Sequence, residues 1–126
     1  MYLLDTDVLI WVLRGRKEII RKISVLKSEL PLSVSVISIA EIYQNIFPSE
    51  LITTEEYLEK HIILPVDTTI AKLAGFYWQE YVRELKNLSL SDCWIAASAN
   101  VHDAILVSLN TKHFPMRDIQ VINPIG

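Results

Sequence analysis

Short apolar runs recur along this chain with longer amphipathic stretches between them, and that alternation restricts the fold more than any other feature. Tyr2–Leu4, Leu32–Val36, Ile62–Leu64, Ile105–Ser108 and Ile119–Ile122 are too short for helices and too apolar for loops. They read as strands, Tyr2–Leu4 as a buried one. Between them the spacing turns helical. Val8–Leu13 leaves the first strand, and Ile19, Ile20, Ile23, Leu26 and Leu30 mark one face of a second helix that Pro31 stops. A helix from about Ile39 to Phe47 is closed by Pro48, and Thr53 with Glu56 offers a capping box for another reaching Lys60. Ile70, Leu73, Ala74, Tyr77, Tyr81 and Leu85 stripe a long helix from about Thr69 to Lys86. The stretch Asp92–Val101 is small and apolar nearly all round, which predicts a buried helix. Such alternation implies an α/β fold: three layers, α/β/α, with a central, mostly parallel sheet of about four or five strands and helices on both faces. Ligands of such sheets gather at the carboxyl ends of the strands.

A chain of 126 residues is expected to form one domain, residues 1–126, with a single sizeable core. Hydrophobic residues make up 51% of it and are spread throughout, which excludes a disordered chain. The net charge of −3 does not announce a nucleic-acid binder, but its distribution is uneven. Residues 1–28 carry six bases (Arg14, Arg16, Lys17, Arg21, Lys22, Lys27) against three acids, whereas residues 29–67 carry Lys60 alone against seven acids. A basic first region beside an acidic centre suits a phosphate backbone held near a cation; a solvated helix face is the plainer account. Cys93 is the sole cysteine, which rules out an internal disulfide and a thiolate cage. No leader-like or membrane-length apolar span is visible, so the expected location is the cytoplasm.

The chemistry lies in the acids. Asp5 and Asp7 follow the first strand, while Glu41 and Asp92 fall near the starts of later helices, and no Lys or Arg stands within three residues of any of them. Each has a structural alternative. Asp7 could cap a helix, Glu41 could close a capping box with Ser38, and Asp92 could do so with Ser89. Asp5 at a strand end and Asp92 before an apolar run are harder to explain that way, because burying either without a partner is costly. If the sheet brings these carboxylates together, their repulsion calls for a positive ion. An all-oxygen set selects a hard divalent cation such as Mg²⁺ or Mn²⁺, and such a centre suits hydrolysis of phosphodiesters. The histidines do not suggest zinc. His61 and His102 end helices, and His113 lies past a strand end, where it could face the site or shape the turn. No Ser/His/Asp arrangement, glycine-rich phosphate loop or paired-cysteine spacing occurs.

At these residues the chain resembles PIN-domain ribonucleases, specifically the VapC-type toxins of toxin–antitoxin pairs. The likeness rests on Leu3-Leu4-Asp5-Thr6-Asp7-Val8-Leu9-Ile10, Ser38-Ile39-Ala40-Glu41-Ile42, Ser91 to Ala99, Leu106 to Phe114 and Val121-Ile122-Asn123-Pro124, and it spans essentially the whole length. It implies a PIN-like fold and a Mg²⁺- or Mn²⁺-dependent endoribonuclease with Asp5, Glu41 and Asp92 as catalytic, metal-binding acids. Thr6, Asp7, Ser108, Asn110 and His113 resemble supporting positions. The family usually has a fourth acid where this chain has Asn110 or His113, which puts a second metal in doubt. Arg14, Arg16 and Lys17 are candidates for RNA contact. A small VapB-like antitoxin and a homodimer are the implied partners, and Phe76, Tyr77, Trp78 and Tyr81 crowd one helix beyond what a single core stripe needs. Three other readings compete: a PIN nuclease of RNA processing without an antitoxin, a non-catalytic PIN-fold binding module, and a haloacid-dehalogenase-type phosphatase suggested by Asp5-x-Asp7. The last lacks a suitably placed Lys and a paired downstream acid.

Overall fold

Residues Met1–Gly126 are all described by a computed structural model. Five strands, β1 (Tyr2–Leu4), β2 (Leu32–Ser35), β3 (Ile62–Leu64), β4 (Ile105–Val107) and β5 (Gln120–Ile122), form one sheet in the order β3-β2-β1-β4-β5. All four pairings are parallel, with Leu3 opposite Ser33 on one side and Leu106 on the other. Six helices connect them: α1 (Thr6–Leu13), α2 (Lys17–Glu29), α3 (Val36–Tyr43), α4 (Leu51–Leu58), α5 (Thr68–Tyr81) and α6 (Leu90–Val101).

Strand alternation divides the core in two. Tyr2, Leu4, Leu32, Val34 and Val107 pack with Val8 and Leu9 of α1, Ile19 and Ile23 of α2, Ile42 of α3 and Leu58 of α4. Leu3, Leu64 and Leu106 point the other way, onto Ile70, Ala74, Tyr77 and Tyr81 of α5 and the small residues of α6. Cys93, Ala96, Ala97 and Ala99 are almost wholly buried, so the all-apolar stretch is a core helix as its composition predicts. Small residues there let α6 approach α5 closely, and Cys93 is a core residue.

Several boundaries differ from those the sequence suggests. The α3 helix begins at Val36, three residues early, because Ser35 rather than Ser38 is its cap: the Ser35 hydroxyl accepts from the Ile37 N–H at 3.1 Å. No capping box forms at Thr53 and Glu56. Instead the chain enters α4 through a 3₁₀ turn at Pro48–Glu50, where Glu50 accepts from the Phe47 N–H at 3.0 Å, and Thr54 is buried. The α5 helix ends at Tyr81 rather than near Lys86, yet Leu85 stays half-buried through a turn in which its N–H reaches the Tyr81 carbonyl. Of the four aromatic residues here, Tyr77 and Tyr81 are core, while Phe76 and Trp78 are 64% and 43% exposed. His61 caps α4 through the Tyr57 carbonyl at 3.0 Å, but it is half-buried rather than solvated, and burial lowers its pKa.

Candidate active site

Asp5 is the last residue before α1 and sits over the carboxyl end of the central strand. It caps the helix, its Oδ1 accepting from the Thr6 N–H at 2.8 Å. Its Oδ2 accepts from the Ser108 hydroxyl at 2.8 Å, and that bond is buried. Ser108 follows the neighbouring strand β4, so the parallel pairing of β1 with β4 is what brings residues 5 and 108 together. Asp5 is only 7% exposed. Burial, and then the charge of Asp7, push its carboxyl up to about 7, although the bonds from Ser108 and Thr6 pull the other way.

Asp7 turns towards the same loop. Its Oδ1 accepts from the Val8 N–H at 2.7 Å, and its Oδ2 accepts from the Leu109 N–H and the Asn110 amide, both at 3.2 Å. Asn110 therefore acts as a donor to Asp7. Burial raises the Asp7 pKa against the bonds from Val8 and Leu109.

Thr6 links this corner to α3. Its Oγ1 lies 2.8 Å from both the Ser38 hydroxyl and Glu41 Oε1. One hydroxyl carries one proton and a carboxylate only accepts, so the Thr6 proton goes to Glu41 and Ser38 donates to Thr6. Ser38 and Glu41 lie three residues apart on one face of α3, with Ser38 fully buried. The capping-box account of Glu41 is thereby replaced: its carboxylate is spent across the site. Ser38 is the residue that sequence reasoning missed, since placing the helix start at Ile39 hid its inward position.

Asp92 lies in the first turn of α6, whose cap is Ser89; the Ser89 hydroxyl accepts from the Asp92 N–H at 3.0 Å. Its carboxylate remains available to the site, with Oδ2 3.9 Å from His113 Nδ1. Burial raises its pKa, Ser89 and His113 lower it, and the charges of Glu41 and Asp7 raise it again. Asp5 in turn is raised by Asp92. These mutual effects place Asp5, Asp7, Glu41 and Asp92 in one electrostatic group. No Lys or Arg forms an ion pair with any of the four.

Arg14, Arg16 and Lys17 stand apart, at the turn joining α1 to α2. Arg14 nevertheless lines a small surface pocket with Glu41, Ile10 and Asn45.

The donors of the acid group are all oxygens, which suits a hard divalent cation. No three His, Cys, Asp or Glu side chains are drawn together closely enough to chelate one ion as they stand. Asp5, Asp7 and Glu41 are each held by hydrogen bonds of their own. Their spacing fits a cation that keeps several of its waters and takes only one or two carboxylates directly, and it does not fit a closed all-protein cage.

The PIN domain family model matches residues 2–119. The chain belongs to the PIN-domain family. Within that family it is 35% identical over 116 residues to ribonuclease VapC10 of Mycobacterium tuberculosis, a match covering 92% of this chain and 87% of that protein. Ribonuclease VapC2 of Haemophilus influenzae is 30% identical over 119 residues, covering 90% of this chain and 89% of the relative. Among solved structures, VapBC-1 from nontypeable Haemophilus influenzae superimposes with a TM-score of 0.84 at 23% identity, covering 99% of this chain and 98% of that one. A toxin–antitoxin complex from Klebsiella pneumoniae aligns with a TM-score of 0.76 at 27% identity, covering 98% of each chain. The parallel sheet expected from strand–helix alternation, and the PIN-like fold that the resemblance implies, are thus the ones observed.

Proposed function

We propose that this PIN-domain chain is the endoribonuclease toxin of a VapBC-type pair, hydrolysing RNA phosphodiesters with the help of Mg²⁺ or Mn²⁺. The observation that supports this reading is that the charges of Asp7 and Asp92 act on Asp5, and those of Glu41 and Asp7 on Asp92, with no Lys or Arg ion-paired to any of the four. Relatives named as ribonucleases supply the reaction class.

Asp5, Glu41 and Asp92 would hold the cation, one or two of them directly and the rest through its waters. When bound it would neutralise charge on the phosphate and lower the pKa of a water beside it. The chain's own groups supply position. The Ser108 hydroxyl and the Thr6 N–H fix both oxygens of Asp5, the Thr6 hydroxyl fixes Glu41, and Leu109 and Asn110 fix Asp7. Hydrolysis forms one P–O bond to water as the P–O bond to the leaving nucleotide breaks.

The remaining partners follow the same reading. Arg14, Arg16 and Lys17 are the RNA contacts, a small VapB-like antitoxin blocks the site, and Phe76 with Trp78 covers a homodimer contact. No helix is long and apolar enough to cross a membrane, and the cytoplasm is the compartment where such an RNA target is met.

The deciding experiment incubates the purified protein with labelled RNA, with and without Mg²⁺ or Mn²⁺, beside Asp5→Asn. Metal-dependent internal cleavage by the parent and none by the variant is the expected result. Equal cleavage by both would remove Asp5 from the centre and the mechanism with it.

A further inference from the structure

The carboxyl end of α1 carries a second group of side chains that the acid site does not use. Gly15 has φ +81°, in the left-handed region, and lets the helix end in a closed turn. The Gly15 N–H reaches the Val12 carbonyl and the Arg16 N–H reaches the Trp11 carbonyl, each at 3.0 Å. This double bond pattern usually brings the side chains at positions 11 and 16 into apolar contact. Here the contact is a guanidinium on an indole, with Arg16 Cζ 5.3 Å from the Trp11 ring centroid. Nothing in the turn requires Arg14, yet Arg14 Cζ also lies 5.6 Å from the same centroid.

Neither guanidinium has a close carboxylate partner. The nearest ion pair is Arg16 with Glu18 at 3.9 Å, and both groups are exposed. Two planar cations, each with five N–H donors, are thus held against a partly open aromatic ring, 38% exposed, with almost none of those donors committed. The group is placed by α1 itself. Trp11 lies six residues beyond Asp5, about 9 Å along the helix axis, and Arg14 shares its pocket with Glu41.

We propose that Trp11, Arg14 and Arg16 form a seat for one unpaired RNA base and its phosphate, within roughly three nucleotides of the bond being cut. This rests on the ribonuclease reading above and assigns one position on its RNA substrate to side chains outside the acid group. The indole and the guanidinium planes offer π-faces that any base can stack on, and the free N–H groups match phosphate oxygens. A base inside a duplex is already stacked on both faces and cannot take that seat. An acidic peptide would pair with the two arginines but would leave the ring unused.

Binding of a labelled oligoribonucleotide is measured by fluorescence anisotropy in EDTA, so that no cleavage occurs, for the single strand and for the same strand hybridised to its complement. The parent should favour the single strand. Trp11→Ala should weaken single-strand binding at least about fivefold while leaving the salt dependence unchanged. The double variant Arg14→Ala/Arg16→Ala should instead flatten the salt dependence, by about 0.7 in log–log slope for the one phosphate held. Parent-like affinity of Trp11→Ala, duplex binding as tight as single-strand binding, or displacement by polyglutamate as readily as by RNA would each overturn the inference. Should Trp11→Ala melt early, Trp11→Phe takes its place: retained binding supports the seat, and a fivefold loss overturns it. A parallel cleavage assay with Mn²⁺ separates the two levels, because a parent that cuts RNA while Trp11→Ala binds normally refutes the seat alone.

Discussion

Removing the charge at Asp5 should make the metal-free protein more stable, and by an amount that depends on pH. The Asp5 carboxyl is 7% exposed and titrates near 7 in the fold, against 3.8 when free. A raised carboxyl pKa means that the folded state holds a proton which the unfolded chain has released. Its stabilising share is therefore full below about pH 4 and is lost as pH rises towards 7. Taken alone, that loss amounts to roughly 4 kcal/mol at neutral pH, of order 10 °C in melting temperature. Asp5→Asn is neutral in both states, and Asn keeps the cap, since its carbonyl can accept from the Thr6 N–H as Asp5 does now. In EDTA, parent and variant should melt together near pH 4 and diverge above it, the variant being the more stable at pH 7.5. Saturating Mn²⁺ should then raise the parent far more than the variant, because a ligand that binds only the fold stabilises by mass action. Some slope should survive in Asp5→Asn, since burial raises Asp7 and Asp92 as well. Thermal melts across pH, monitored by circular dichroism, make the comparison. Parallel curves for the two proteins in EDTA would refute the claim that Asp5 carries a buried, repelled charge.

Three further perturbations probe the framework. Glu41→Gln keeps an acceptor for the Thr6 hydroxyl but removes a charge, and it should slow RNA cleavage by more than the roughly 100-fold ceiling typical of supporting residues; retained activity in a gel assay would free Glu41 from the metal set. Ser38→Ala should raise the Mn²⁺ needed for half-maximal cleavage by about tenfold. In a Thr6→Val background the same change should do nothing more, and additive losses in that double-mutant cycle would break the proposed Ser38–Thr6–Glu41 relay. Tyr77→Phe removes the donor to Asp118 at 2.8 Å and should cost about 1–2 kcal/mol in urea unfolding, with the cleavage rate unchanged because Asp118 meets α6 at Asn100, near the end of that helix remote from Asp92.

Strand positions were legible as short unbroken apolar runs: Tyr2–Leu4 is buried throughout, and Ile62–Leu64 stands where the sequence puts it although Ile62 and Ile63 of this edge strand are exposed. Helix starts were less so. Ser33, Ser35 and Ser38 all lie near the start of α3, and a hydroxyl's ability to cap does not tell which of three serines will do it. Ser33 turned out to bond the Tyr2 carbonyl across the sheet, Ser35 to cap, and Ser38 to reach Thr6. Asp5 inverted expectation in an instructive way, for it caps α1 and belongs to the acid group at once, each task using a different oxygen or lone pair. Glu41 and Asp92 were legible as members of the group, but their bonds were not, because Thr6 and His113 reach them only through tertiary packing.

The bond between Asp5 and Ser108 joins positions 103 residues apart, and the first of the five strands ends up in the middle of the sheet. β1 gains its β2 neighbour early, but β4 and the loop that grips Asp5 and Asp7 emerge only after four intervening helices. A nascent chain therefore carries its acids unassembled through most of roughly ten seconds of elongation. The acid group is closed by the segment that reaches it last, so its assembly is set by topology rather than by any single contact.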